Sequence, residues 1–240
     1  MYKISRSGIE NNINCQKCFY LAFHHKIRPF GLPFTLNSAV DNLCKNEFDY
    51  YRAKAEPHPM FIEYGIDAVP FAHEKMDEWR ENFKGIRYID HEKGYNFGGA
   101  VDDIWQKPNG ELIVVDVKAT SKNVFDWEDT YSKWEYAKGY KRQLEMYQWL
   151  LKMNGFEVAS EAYLVYYNGK KHEPMFNQKL EFDLHLVKLE CNSDWVEGAI
   201  QDAIKTIEGD MPKASKNCPH CNYLKKRWEV SQKDPRNLID

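Results

Sequence analysis

The apolar positions Leu36, Ala39, Val40, Leu43 and Cys44 recur at helical spacing, and Ala72, Met76, Trp79 and Phe83 follow at steps of four, three and four. Both stretches predict core-facing helices, and Pro57, Pro59 and Pro70 mark the chain between as irregular. From Gly85 the period shortens. Ile86 and Tyr88, then Phe97–Trp105, a turn-forming K-P-N-G and the Ile- and Val-rich Glu111–Lys118 predict extended chain that closes in a β-hairpin. Helical spacing returns in Trp134–Met153 through Tyr140, Leu144, Tyr147, Leu150 and Leu151, with Gly155 as the stop. Glu161–Tyr167 and Lys179–Leu189 predict strands, the second alternating Leu180, Phe182, Leu184 and Leu186 with polar neighbours. A last helix, capped by Ser193, would bury Trp195, Val196, Ala199, Ile200, Ala203, Ile204 and Ile207 and end at Gly209. The order α, α, β, β, α, β, β, α predicts an α/β fold around a mixed sheet, with residues 1–240 as a single domain.

Composition narrows the function. The 240 residues carry 33 Lys+Arg against 36 Asp+Glu, a net charge of −3, which excludes coating of nucleic acid through bulk positive charge. Mean hydropathy is −0.69, and the longest apolar or aromatic run, Ala162–Tyr167, is far shorter than the roughly 20 residues of a membrane-spanning helix. No apolar segment follows the basic residue of the opening M-Y-K-I-S-R, so the expectation is a cytoplasmic protein with no membrane partner.

The segment from Gly98 to Lys122 carries the candidate chemistry. Pro108 suits the first corner of a type I turn and Gly110 the left-handed position after it, which closes a three-residue loop between Lys107 and Glu111. Residues opposed across the hairpin then have numbers summing to 218. Asp102 falls opposite Asp116, Lys118 projects from the same face and Asp103 points the other way. Like charges facing one another repel unless one is protonated or a cation lies between them. Two carboxylates beside a lysine are also the parts required for phosphodiester hydrolysis with Mg²⁺ or Mn²⁺, the ion activating water and the ammonium stabilising charge.

Four of the six cysteines form two C-x-x-C pairs near the chain ends, Cys15 with Cys18 and Cys218 with Cys221. The segments 1–30 and 210–228 are thus expected to share one metal site, which a Cys₄ zinc ion or an iron–sulfur cluster satisfies equally. Cys44 and Cys191 stand alone and read as small buried residues.

Three segments in order, G-A-V-D-D-I (Gly99–Ile104), V-V-D-V-K (Val114–Lys118) and Q-L-E-M-Y (Gln143–Tyr147), resemble the core motifs of the PD-(D/E)XK nuclease superfamily, and of its RecB-like exonuclease branch with the CRISPR-adaptation nucleases. The resemblance implies a restriction-endonuclease-like core in which Asp102, Asp116 and the backbone carbonyl of Val117 bind Mg²⁺ or Mn²⁺. It further implies that Lys118 is the catalytic lysine and that Gln143 and Tyr147 form a Q-x-x-x-Y motif; their separation of four residues places them on one helix face independently. Relatives carry a histidine ligand in a pattern like G-x-x-V-H-x-x-L where this chain has Val40-Asp41-Asn42-Leu43, so Asp41 is a further candidate ligand. His24 and His25 receive no role. Relatives also hold a [4Fe–4S] cluster with one early and three late cysteines, which favours a cluster here, while the two-and-two arrangement keeps Zn²⁺ as the alternative.

Candidate nucleic-acid contacts are Lys138, Lys141 and Arg142 before the Q-x-x-x-Y motif and Lys225, Lys226 and Arg227 after the second cysteine pair. With Trp127, Tyr131, Trp134, Tyr136 and Tyr140 interleaved, the first group suits a single strand or a DNA end. The resulting expectation is a metal-dependent DNA exonuclease in recombination, repair or defence, with any helicase or integrase partner unassigned. A restriction-type endonuclease and a silent nucleic-acid-binding module with structural zinc are the rivals.

Overall fold

The computed structural model describes residues 1–29, 31 and 34–233; Phe30, the last residue of the expected amino-terminal cysteine segment, lies outside them. In chain order the elements are β1 (Tyr2–Ser5), α1 (Arg6–Asn14), α2 (Gln16–His24), α3 (Thr35–Lys54), α4 (Pro59–Tyr64), β2 (Val69–Pro70), α5 (Met76–Arg80), β3 (Ile86–Asp90), β4 (Tyr95–Gly99), β5 (Asp103–Gln106) and β6 (Leu112–Thr120). There follow α6 (Trp127–Lys133), α7 (Glu135–Met153), β7 (Val158–Gly169), β8 (Phe182–Glu190), α8 (Val196–Glu208) and α9 (Pro219–Lys233). The chain divides into two compact units, one of Met1 with residues 33–196, the other of residues 2–32 with 197–240.

In the larger unit, among the described residues, five strands form a mixed sheet in the order β2-β5-β6-β7-β8. Only β6 and β7 run parallel, Val114 facing Ala162 and Thr120 facing Asn168, and such a pair requires the crossover that α6 and α7 supply. Residues on the two faces of β6 separate the layers. Ile113, Val115 and Val117 join Cys44 and Phe48 of α3 and Phe61, Trp105, Tyr163 and Val165 in one buried cluster. Asp116 points to α7, where Gln143 contacts it. The sheet is therefore flanked by helices on both faces.

The expected hairpin register holds. Asp103 pairs with Val115 and Gln106 with Leu112, the Gly110 N–H donates to the Lys107 carbonyl and the Lys107 N–H to the Glu111 carbonyl, both at 2.9 Å. Gly110 has φ +92°, the left-handed conformation this turn demands. The strand expected over Phe97–Trp105 is instead broken. β4 pairs antiparallel with β3, and Ala100–Asp102 leave the ladder before β5 begins. At the break the Val101 N–H donates to the Trp79 carbonyl at 3.1 Å, and just before it Gly85 packs so closely that a Cβ there would meet the Gly99 carbonyl at 2.5 Å.

Two helix faces also differ from expectation. On α3, Leu36 and Leu43 are 62% and 69% exposed and Ala39 is exposed; Cys44 and Phe48 are buried, and the inward side carries Asp41, Lys45 and Arg52. The helix turns a charged side inward because charge awaits it there, as described below. α5 is a short helix burying Met76 and Trp79, with Ala72 and Phe83 outside it and exposed.

The smaller unit contains α1, α2, α9 and all of α8 after Val196. Ile9, Phe19, Ile200, Ala203 and Ile207 are among its buried side chains, and the His24 imidazole bonds the Ile207 carbonyl at 2.9 Å. Helices α1, α2 and α9 were not among the expected elements.

Candidate active site and thiolate cluster

Asp116 lies at the centre of the sheet and is 1% exposed. Gln143 donates its Nε2–H to Asp116 Oδ1 at 2.6 Å and lies 3.1 Å from the Tyr147 hydroxyl, the i, i+4 pair lying side by side on α7. Lys118, two residues along β6 and hence on the same face, forms an ion pair with Asp116 Oδ2, and its Nζ stands 4.6 Å from the centroid of the Tyr140 ring. Burial, with the Asp102 charge adding to it against the opposing Lys118 ammonium, pushes the Asp116 carboxyl up to about 7. Burial works against the charge of Lys118, yet the Asp116 and Asp102 carboxylates hold its ammonium above the ordinary lysine range.

Asp102 sits at the bend before β5 rather than within the ladder, and its Oδ2 accepts the Val117 N–H at 2.8 Å. Its other oxygen, Oδ1, is 3.5 Å from Lys45 Nζ, which is 2.7 Å from Asp41 Oδ2. Asp41 therefore reaches the same cluster from α3, and burial together with the Asp102 charge raises its carboxyl pKa despite Lys45. Asp41 Oδ1 is buried with no hydrogen-bond partner. An orphaned buried carboxylate oxygen beside two further carboxylates is a donor set that fits a hard divalent cation. The chain's own ammonium groups, Lys45 and Lys118, stand among these oxygens.

Asp103 has a different environment. It is fully buried and directed away from Asp102; Arg52 donates to its Oδ1 at 2.6 Å, Arg80 donates to its Oδ2, and both arginines also pair with Asp49. Two guanidiniums against two carboxylates compensate this group internally. Of the residues not singled out from sequence, Lys45 had a local signal, standing four residues after Asp41. Arg52 and Arg80 had none. Glu145, inside Q-L-E-M-Y, accepts the Trp195 indole N–H at 2.8 Å and the Asn192 N–H at 3.2 Å, a structural role the motif did not announce.

The expected nucleic-acid contacts are distributed unevenly. Lys138 and Arg142 pair with Glu135 at 3.4 and 3.0 Å, and Lys141 is 4.0 Å from Glu145. Lys225, Lys226 and Arg227 are exposed on α9. Trp127 is buried, whereas Trp134 and Tyr136 are exposed.

In the smaller unit the four cysteines come together. Cys18 Sγ lies 3.6 Å from Cys218 and 3.5 Å from Cys221, Cys15 lies 4.0 Å from Cys221, and all four sulfurs are within 4.8 Å of one another. The two pairs stand at the starts of α2 and α9, where C-x-x-C spacing brings both thiols of a pair to one side of the first turn. Burial opposes ionisation of Cys15, but hydrogen bonds from the Ser215 and Cys18 backbones lower its thiol to about 6. Such a group can hold a metal ion.

Among the described residues no helix is long and apolar enough to cross a membrane. The family model of the PD-(D/E)XK nuclease superfamily matches residues 22–225. No curated protein matches the chain in sequence. Among solved structures the chain is similar to an alkaline exonuclease (LHK-Exo) from Laribacter hongkongensis, at 10% identity and TM-score 0.42, covering 95% of this chain and 94% of that one. The same exonuclease in complex with dAMP aligns at 11% identity and TM-score 0.38, covering 98% and 95%. A phage-related exonuclease from Haemophilus somnus 129PT aligns at 11% identity and TM-score 0.40, covering 85% and 78%.

Proposed function

The chain belongs to the PD-(D/E)XK nuclease superfamily, and from that premise we propose that it is a Mg²⁺- or Mn²⁺-dependent DNA exonuclease that hydrolyses phosphodiesters at open ends or in single strands. The observation that carries this reading is the convergence of Gln143 and Lys118 on the two oxygens of the buried Asp116, with Asp102 beside it. Asp102 and Asp116, with Asp41 and the Val117 carbonyl, are the residues that would hold the divalent ion. When bound, that ion supplies Lewis acidity and a water of lowered pKa. Gln143 fixes the orientation of Asp116 by donating to one oxygen, which leaves the other facing Lys118. Lys118 places a permanent positive charge where charge develops on a phosphate oxygen, in a pocket with little water to screen it. Lys138, Lys141 and Arg142 lie on the same helix as Gln143 and supply local charge toward a backbone.

End-labelled single strands, linear duplex and closed circles, each with and without Mn²⁺, test the proposal. Metal-dependent loss of the open substrates alone supports it, and cutting of circles at defined sites would replace it with the restriction-type reading. Asp116→Ala and Lys118→Ala should each abolish cleavage, the lysine variant still binding DNA; full cleavage by either removes the assignment. The silent binding module draws support from one observation, the Lys45 ammonium placed between Asp41 and Asp102. Its mark is DNA binding with no cleavage in any metal.

For the thiolate cluster the sulfur separations support a single zinc ion over the [4Fe–4S] cluster that the resemblance favoured. A tetrahedral ion with Zn–S bonds of about 2.3 Å has sulfur–sulfur edges of about 3.8 Å, close to the 3.5, 3.6 and 4.0 Å found. A four-iron cluster interposes its own iron and sulfide atoms and holds its thiolates further apart. Metal analysis of anaerobically purified protein decides: a colourless protein with one zinc supports the ion, a brown one with four irons the cluster.

A further inference from the structure

Beside Lys118 lies a cavity of about 270 Å³ that none of the roles above uses. It is lined by Tyr136, Tyr140 and Tyr166, by Thr120 and Lys122, and by Lys118 itself. We propose that this cavity is a subsite for one unpaired nucleobase, holding the nucleotide next to the phosphate that Lys118 contacts. The inference rests on the nuclease reading for the identity of that phosphate.

Four observations carry it. The cavity shares Lys118 with the carboxylate cluster, so an occupant touches the residue assigned to the reacting phosphate. Three of its walls are aromatic. Tyr136 stands edge-on to Tyr140 at 5.6 Å, and is 46% exposed although its neighbours bury comparable rings, so a flat partner has access to it. Exposed Trp134, 6.1 Å from Tyr136, extends the aromatic surface outward. Tyr166 is buried and Tyr140 half-buried, and both line the cavity. A tyrosine hydroxyl at such a wall calls for a hydrogen-bond partner, and an occupant of the cavity can supply one. A base offers both a π-face for the rings and donor and acceptor edges for the hydroxyls. At about 270 Å³, just under the roughly 300 Å³ at which pockets for drug-sized ligands begin, the cavity has room for one ring system. Hydroxyls that both donate and accept do not select among bases, so the subsite discriminates unpaired from paired DNA rather than one sequence from another.

Binding measured in EDTA tests this apart from cleavage. A short fluorescent dT oligonucleotide, its fully abasic counterpart and a blunt duplex are titrated with wild type, Tyr136→Ala and Tyr136→Phe, each checked for folding by circular dichroism. Stacking of one base on an aromatic ring corresponds to a factor of about 5 to 150 in Kd. The wild type should prefer dT over the abasic strand by at least that factor. Tyr136→Ala should lose that factor for dT while abasic and duplex binding stay unchanged, and Tyr136→Phe should retain most of it. Equal weakening of dT and abasic strands by Tyr136→Ala, or no loss for either, overturns the subsite. Absence of cleavage in Mn²⁺ with the dT preference and its Tyr136 dependence intact would sink the nuclease reading and leave the base site standing.

Discussion

The carboxylate cluster on β6 and the thiolate cluster of the smaller unit are both concentrations of groups that repel when ionised, and the chain treats them differently. Around Asp41, Asp102 and Asp116 it supplies its own cations, Lys45 and Lys118. Around the four cysteines the help that Cys15 receives comes from hydrogen bonds of Ser215, Cys18 and Cys218. On the proposed reading the first site is a folded feature that a metal would enter, and the second is one that a metal would complete. Binding free energy is folding free energy where thiolates have no other compensation, whereas a carboxylate already paired with lysine loses that pairing when an ion arrives.

The largest effect should come from breaking the thiolate side. Cys218→Ser, or a strong chelator, should lower the Tm by more than 10 °C, because structural zinc contributes about 10–16 kcal/mol in small zinc-dependent folds and each kcal/mol moves the Tm of a chain this size by about 2–4 °C. Cys191→Ser should move it by no more than about 4 °C, and equal small shifts in calorimetry would show that the four thiols hold nothing. Next in size is Asp103→Ala, which leaves Arg52 and Arg80 buried against one carboxylate and should cost about 3–5 kcal/mol in urea unfolding. Added Mn²⁺ should not restore that loss. If it does, Asp103 belongs with the metal-directed carboxylates after all.

Smaller and more specific is the pH dependence of the metal-free chain. The Asp116 carboxyl stands at about 7 in the folded state against an ordinary 3.8. The folded state thus holds that proton to higher pH than the unfolded chain, so the stability it contributes is complete below about 3.8 and is lost as pH rises through about 7. Denaturant midpoints should fall across this interval, and Asp116→Asn should flatten the fall; an unchanged slope in the variant would assign it to another group. The smallest effect concerns Lys45. Replacing it with methionine removes the built-in competitor for Asp41 and Asp102 and should tighten Mn²⁺ binding severalfold by calorimetric titration. Weaker binding would make Lys45 a support of the ligands instead.

What the sequence made legible was local. K-P-N-G dictates its turn, the turn dictates the register, and the register separates Asp102 from Asp103. A four-residue interval on one helix sufficed to join Gln143 and Tyr147. What stayed hidden depends on contacts distant in sequence. Asp103 meets arginines 51 and 23 residues away, and no period or spacing reveals that a buried carboxylate has been matched across that distance. The same cause misled the reading of α3: apolar residues at helical spacing ordinarily mark the inner face, but here the inner face serves the carboxylate cluster, and Leu36 and Leu43 are turned outward. The cysteine pairs were legible as a pair of pairs because their spacing is itself local, whereas the proposal of a single ion rests on the distances between them.

The parallel pairing of β6 with β7 has a consequence for how the protein is made. Asp116 and Lys118 leave the ribosome well before Gln143 on the crossover helix, and β7 follows later still. Strand pairing across such a connection brings together segments far apart in sequence and is slow to form. A nascent chain that ends before the crossover carries the acidic groups but neither the amide that orients them nor the strand that buries them. The candidate site is thereby assembled only once most of the larger unit has been synthesised, so the proposed activity would not appear on an unfinished chain.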